Sequence, residues 1–159
     1  MAMPTTAEIL DAIEARLTAL YSTRPVYRRK HDVRDRTPLA SILPSDFAED
    51  GFFVLCAAEP DPCEQIMSFE HVHFITTVEL DYVTIAAPDE RDEKQDTRDV
   101  RIALNDAFNV PKPSGFPAGS LVMSFEHGKP YGEAAYDKRL SVSTQTMKVH
   151  TTRARGVGT

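Results

Sequence analysis

An α+β fold, a mainly antiparallel sheet with two helices packed on one face, is predicted by three observations. Two stretches carry helical periodicity, one long stretch alternates apolar and polar residues, and the strands mostly follow one another along the chain. A doubly wound parallel sheet would instead need strands and helices in regular alternation. With 159 residues, 42% hydrophobic and 26% charged, the composition excludes collagen-like, coiled-coil and wholly disordered chains. Such a length suits one domain whose core needs no disulfide or metal. The expected unit is residues 1–152, with a flexible C-terminal tail over 153–159.

Residues 5–20 read as an amphipathic helix. Thr5 and Glu8 have the spacing of a capping box, and Ile9, Ile13, Leu17 and Leu20, helped by Leu10, recur at helical intervals. Pro25 prevents its continuation. Val26–His31 is a short strand, and Pro38 and Pro44 then interrupt the chain before an Asp50-Gly51 turn and a buried strand at Phe52–Cys56. From Val72 the even positions Val72, Phe74, Thr76, Val78, Leu80, Tyr82 and Thr84 form one face of a half-buried strand ending at Ile85. Ile75, Val83 and Ile85 break the alternation. The charged run Pro88–Gln95 is a solvated loop, after which Asp96 or Thr97 caps a second helix that buries Val100, Ala103, Leu104, Ala107 and Phe108. Pro111 and Pro113 end that helix. A strand over about 121–126, a polar loop with Gly128, Pro130 and Gly132, and a final strand over about 138–151 complete the order.

A strand over residues 71–85 would extend on the order of 50 Å, against an expected body about 40 Å across. The final strand is nearly as long, and the changed parity between Leu140/Val142 and Met147/Val149 predicts a bulge near Ser143–Thr146. Long strands with open edges invite pairing with another copy, so the expectation is long strands or a hairpin arm at a subunit interface.

The formal charge of −6 argues against nucleic-acid binding over the whole surface. No run is long and apolar enough for a membrane helix, and Met1–Thr5 lacks the features of a secretory signal. Cys56 and Cys63 therefore read as reduced thiols. Against this acidic background Arg24, Arg28, Arg29, Lys30, Arg34 and Arg36 stand close together with only Asp32 and Asp35 to oppose them. Such a cluster fits a phosphate or an acidic partner surface, or a solvated strand and loop balanced by nearby carboxylates.

His71 and His73 share one strand face, a spacing that lets two imidazoles meet a zinc or iron ion. Glu70 points the other way and Glu79 lies far along the strand, so a third ligand would come from His127, Glu126 or His150. The solvent-face reading of the two histidines needs no ion. Met-Ser-Phe-Glu-His occurs at 67–71 and again at 123–127; a functional duplication would place matched Glu/His pairs on two strands, but the similarity stops there, which favours coincidence or like strand environments. No dinucleotide fingerprint, P-loop or nucleophile elbow occurs, so no enzyme activity, catalytic residue or cofactor is expected.

The layout resembles a family of phage proteins. An N-terminal amphipathic helix at Ala7–Leu20, a long alternating strand at Val72–Ile85, a helix opening at Asp96-Thr97-Arg98 and a Gly-spaced hairpin with a Thr/Ser/Val-rich last strand, Leu140–Thr151, are similar to the tail terminator, or minor tail U-like, proteins of long-tailed bacteriophages. The likeness covers roughly residues 5–152. The 86–95 loop and the Pro-rich 32–50 stretch depart from it, and another neck protein such as a stopper or adaptor is the nearest alternative. A small metal-binding enzyme built on His71 and His73 is the alternative outside that class.

The resemblance implies a homo-oligomeric ring, hexameric, that caps the tail tube, halts its polymerisation and joins it to the head connector. Its partners would be further copies of the chain, the tail tube protein, the head connector or stopper, and DNA passing through the lumen without sequence specificity, with no membrane. It would be assembled in the host cytoplasm and reside in the virion. The basic residues at 24–36 would then face either the lumen or an acidic tube rim.

Overall fold

The computed structural model describes residues 4–31, 51–58, 63–67, 71–85, 95–128, 131–135 and 138–154. Among these residues two helices, α1 (Thr6–Leu20) and α2 (Gln95–Phe108), accompany seven strands: β1 (Val26–His31), β2 (Phe52–Ala58), β3 (Cys63–Met67), β4 (His71–Ile85), β5 (Ser120–His127), β6 (Tyr131–Ala135) and β7 (Lys138–Ala154). The fold is α+β and the sheet mostly antiparallel, in the order β1-β2-β4-β7-β5, with β3 also on β4 and β6 also on β7.

The two long strands are each other's partner. The β4–β7 ladder runs without a break from His71↔Ala154 to Ile85↔Leu140. On its outer edge β4 pairs with β2 through Val78–Val83 and with β3 through Val72–Thr76. On its own outer edge β7 pairs with β6 at 138–142 and β5 at 145–151. Over most of their length both edges of β4 and β7 therefore find hydrogen-bonding partners within the same chain. Among the described residues only β1 on β2 is parallel, which demands a long connection; the Pro-rich 32–50 stretch occupies that place in the chain and lies outside the described residues. The loop at 86–94 lies outside them too. So does 155–159, whereas Arg153 and Ala154, assigned above to the tail, belong to β7.

The bulge expected at Ser143–Thr146 is absent from the ladder, and the register shift sits instead in β5, between Val122 and Ser124. The parity change in β7 has a different cause, since residues alternate between two faces and each face carries a core. Met147 and Val149 join the core under the helices, with Phe53, Leu55, Val78, Leu80, Tyr82, Val122 and Phe125 from the sheet. Leu140 and Val142 belong to a second cluster on the other face, with Phe52, Val54, Cys56 and Val83, and with Tyr27 and Ile85 packed against it. Val83 and Ile85, two of the residues that break the alternation of β4, are explained by the same cluster.

Both helices pack on one face. Thr5 caps α1 reciprocally: its hydroxyl accepts from the Glu8 N–H at 3.2 Å while its own N–H donates to Glu8 Oε2 at 2.7 Å, which satisfies two groups a helix start leaves open. Ile9, Ile13 and Leu17 are fully buried, but Leu20, assigned to the same stripe, ends the helix 42% exposed. In α2 the buried stripe is Thr97, Val100, Leu104, Ala107 and Phe108. The helix already begins at Gln95, so Asp96 and Thr97 lie in its first turn rather than at its cap. Arg16 joins the two helices: its Nε donates to the Ala107 carbonyl at 2.9 Å and its guanidinium lies over the Phe108 ring. A cation at the end of α2 meets both the unsatisfied carbonyls and the helix dipole there.

The second core encloses one carboxylate. Asp81, 3% exposed, accepts from Thr144 Oγ1 across the ladder at 2.7 Å and from the Cys56 thiol at 3.9 Å. Buried carboxylates persist only when hydrogen-bonded, and the β4–β7 register, which sets Asp81 opposite Thr144, supplies that partner.

Gly51 precedes β2 at φ +81°, and a Cβ there would stand 2.7 Å from the Tyr82 hydroxyl and 2.8 Å from its ring. Tyr82 is fully buried and packs against Phe53, so it has little room to yield. Gly51→Ala is expected to cost about 2 kcal/mol or more through backbone strain and overpacking, read as a lower urea midpoint at unchanged m-value.

Candidate functional site

The basic segment proves to be partly a structural device. Arg24 pairs with Asp96 at the start of α2 at 3.1 Å and lies over the rings of Tyr21 and Tyr82, at 4.5 and 5.3 Å. Tyr82 donates its hydroxyl to the other Asp96 oxygen at 2.5 Å. Burial, then the hydrogen bond to Asp96, pushes the Tyr82 phenol well above the usual tyrosine range, so the group acts as a donor throughout the working pH range. Burial raises the Tyr21 phenol as well. Arg28 reaches back to α1, pairing with Asp11 and, at 2.7 Å, with Glu14. Two of the six candidate cations therefore hold the helices against β1 and β4. The β1 register places Arg29 opposite Cys56 and Lys30 opposite Ala57. Their side chains, and Arg34 and Arg36 altogether, lie outside the described residues.

The histidines are brought together differently from the spacing argument. His73 Nε2 lies 2.8 Å from His150 Nδ1, and the rings are 5.0 Å apart at 40°. His150 faces Ile75 across the ladder, diagonal to His73. One ring must donate and the other accept. His71 shares the strand face but is exposed at the end of β4. Of the other suggested ligands, His127 stacks edge-on against Phe125, in the core under the helices, on the opposite face of the sheet. Glu126 accepts from Ser124 at 3.3 Å. Glu79 sits opposite Thr146, six residues along β4 from His73, and Glu70 lies outside the described residues. Among the described residues, no group of three or more His, Cys, Asp or Glu side chains is placed to hold a metal ion. The first Met-Ser-Phe-Glu-His copy lies mostly outside the described residues; the second runs through the bulged end of β5.

A third feature escaped the sequence reading. Arg98, Arg101, Ile102 and Asn105 of α2 and His127 at the end of β5 line an open cleft of about 330 Å³. Ile102 is 61% exposed, and Met123, at the β5 bulge, is 64% exposed. The signal was present: Ile102 is an apolar residue off the buried stripe, at helical spacing from Arg98 and Asn105.

No family model matches the chain, and no curated protein matches it. Among solved structures, one whose name states no function aligns over 98% of this chain and 99% of its own, at 14% identity and a TM-score of 0.47. Among the described residues, no helix is long and apolar enough to cross a membrane.

Burial, then His73, then Lys148 lower the His150 imidazole below its ordinary value of 6.5. The unfolded chain then takes up a proton more readily than the folded one. The contribution of the neutral His150 ring is fully present above pH 6.5 and is lost as pH falls from there through the folded value. His150→Asn is expected to flatten the acid limb of stability against pH in urea titrations below pH 7. An unchanged slope would contradict the assignment. Tyr82→Phe, which removes the donor to Asp96, is expected to lower stability by about 1 kcal/mol in the same assay.

Proposed function

We propose that the chain is a non-enzymatic assembly protein of the phage tail terminator kind. In this reading copies associate head-to-tail into a hexameric ring that caps the tail tube, stops its growth and meets the head connector, with DNA passing through the lumen. The protein then resides in the virion after assembly in the host cytoplasm. The layout of helices and long strands supports the reading. The observation that carries it is the β5 side of the molecule.

Among the described residues, the main path of the sheet runs from β1 at one end to β5 at the other, with β3 beside β4 and β6 beside β7. The β5 edge bears the exposed Met123, and beside it the α2 cleft bears the exposed Ile102. Large apolar side chains exposed on an edge strand and in a cleft at its end are features of a contact surface. Because the opposite edge is unlike it, a contact between the two is heterologous, and such contacts close into rings when the rotation allows. Long strands contribute indirectly, as the rigid frame that holds both edges.

The basic cluster takes a reduced part in this proposal. Arg24 and Arg28 are compensated by Asp96, Asp11 and Glu14, which leaves Arg29, Lys30, Arg34 and Arg36 as the cations that would face the lumen or the tube rim.

Native mass spectrometry and light scattering test the reading. A ring of identical copies is expected, alone or on addition of tail tube protein. Ile102→Asp combined with Met123→Asp is expected to give monomers whose Tm stays within a few degrees of the parent, since exposed substitutions cost about 0.5 kcal/mol or less. A parent protein that is monomeric in both conditions would overturn the proposal.

A further inference from the structure

We propose that His73 and His150 form a two-histidine binding site for a divalent transition-metal ion of the zinc, nickel or copper type. The nitrogens of interest, His73 Nε2 and His150 Nδ1, already converge at 2.8 Å. Two imidazoles sharing a tetrahedral ion at about 2.05 Å each would stand about 3.3 Å apart. The pair therefore needs to open by only about half an ångström. The rings belong to neighbouring strands of an unbroken ladder, so the backbone beneath them is fixed and only the side-chain torsions adjust. Binding needs a lone pair on both facing nitrogens. The proton that bridges them in the empty pair moves to the outer nitrogen of the same ring, so no net proton is released from a neutral pair. Both outer nitrogens then carry protons that water or a neighbouring carbonyl can accept, the arrangement that fixes a metal-bound imidazole.

The surroundings select the class of ion. Lys148 lies on the same face of β7, opposite Thr77. Two imidazole nitrogen donors disfavour calcium and magnesium, which need several oxygen ligands. They leave ions that gain from imidazole itself. With two protein ligands, water fills the remaining positions. The site is independent of ring assembly.

The test is thermal denaturation of the full chain at pH 7.5 with zinc or nickel chloride, and again with magnesium chloride. With the free transition-metal ion about a hundredfold above Kd, Tm is expected to rise by roughly 5–10 °C, and magnesium to have no effect. His73→Asn and His150→Asn should each abolish the rise, while His127→Asn, on the other face of the sheet, should keep it. Imidazole nitrogen resonances in the parent protein give a second readout that needs no variant: zinc should shift those of His73 and His150 together, at one equivalent. No rise in the parent protein would overturn the proposal. So would a rise that survives in both single variants, or zinc shifts confined to other histidines.

Discussion

Pairing of β4 with β7, residue for residue from His71↔Ala154 to Ile85↔Leu140, is the constraint on which the rest of the structure depends. An antiparallel register fixes which side chains share a face, and a slip of one residue would exchange the two faces entirely. Here both faces carry apolar residues, so the register decides two cores at once. It brings Val78 beside Met147 under the helices and Val83 beside Val142 on the far side. It also sets Thr144 opposite Asp81 and His150 diagonal to His73. A slip would orphan a buried carboxylate as well as expose two hydrophobic rows.

The remaining elements attach to this frame. The short strands β2, β3, β5 and β6 occupy the outer edges of the two long ones, and α1 and α2 cover one face. Their anchoring is electrostatic at the margins and apolar in the middle. Arg16 ties α1 to the end of α2, Arg24 ties the α1–β1 turn to the start of α2, and Arg28 ties β1 back to α1. In partly exposed positions each such pair contributes modestly to stability. Their effect is orientation, because they fix where the helices end over the sheet.

Legibility of the sequence followed burial. The α1 stripe and cap and the buried side of α2 were readable from one periodic apolar face, and β2 and the two long strands from runs rich in apolar and β-branched residues. β3 and β6 were not. Tyr131–Ala135 contains Gly132, Glu133 and two alanines, a composition with little intrinsic preference for strand; it is a strand because β7 offers it an edge. The supposed bulge in β7 arose from assuming one buried face. For the candidate sites the limit was pairing rather than composition. His71-x-His73 was visible, but the residue that meets His73 is seventy-seven positions away. The carboxylates that neutralise Arg24 and Arg28 lie on helices whose placement no local pattern reveals.

Amide hydrogen exchange on the isolated chain tests this account most directly. If the two long strands complete each other within one subunit, amides along 71–85 and 140–154 exchange slowest of all, at a shared rate set by global unfolding, in dilute conditions where no second copy is bound. Rapid exchange through residues 71–77 and 148–154 in the monomer, with protection appearing only on association, would contradict it.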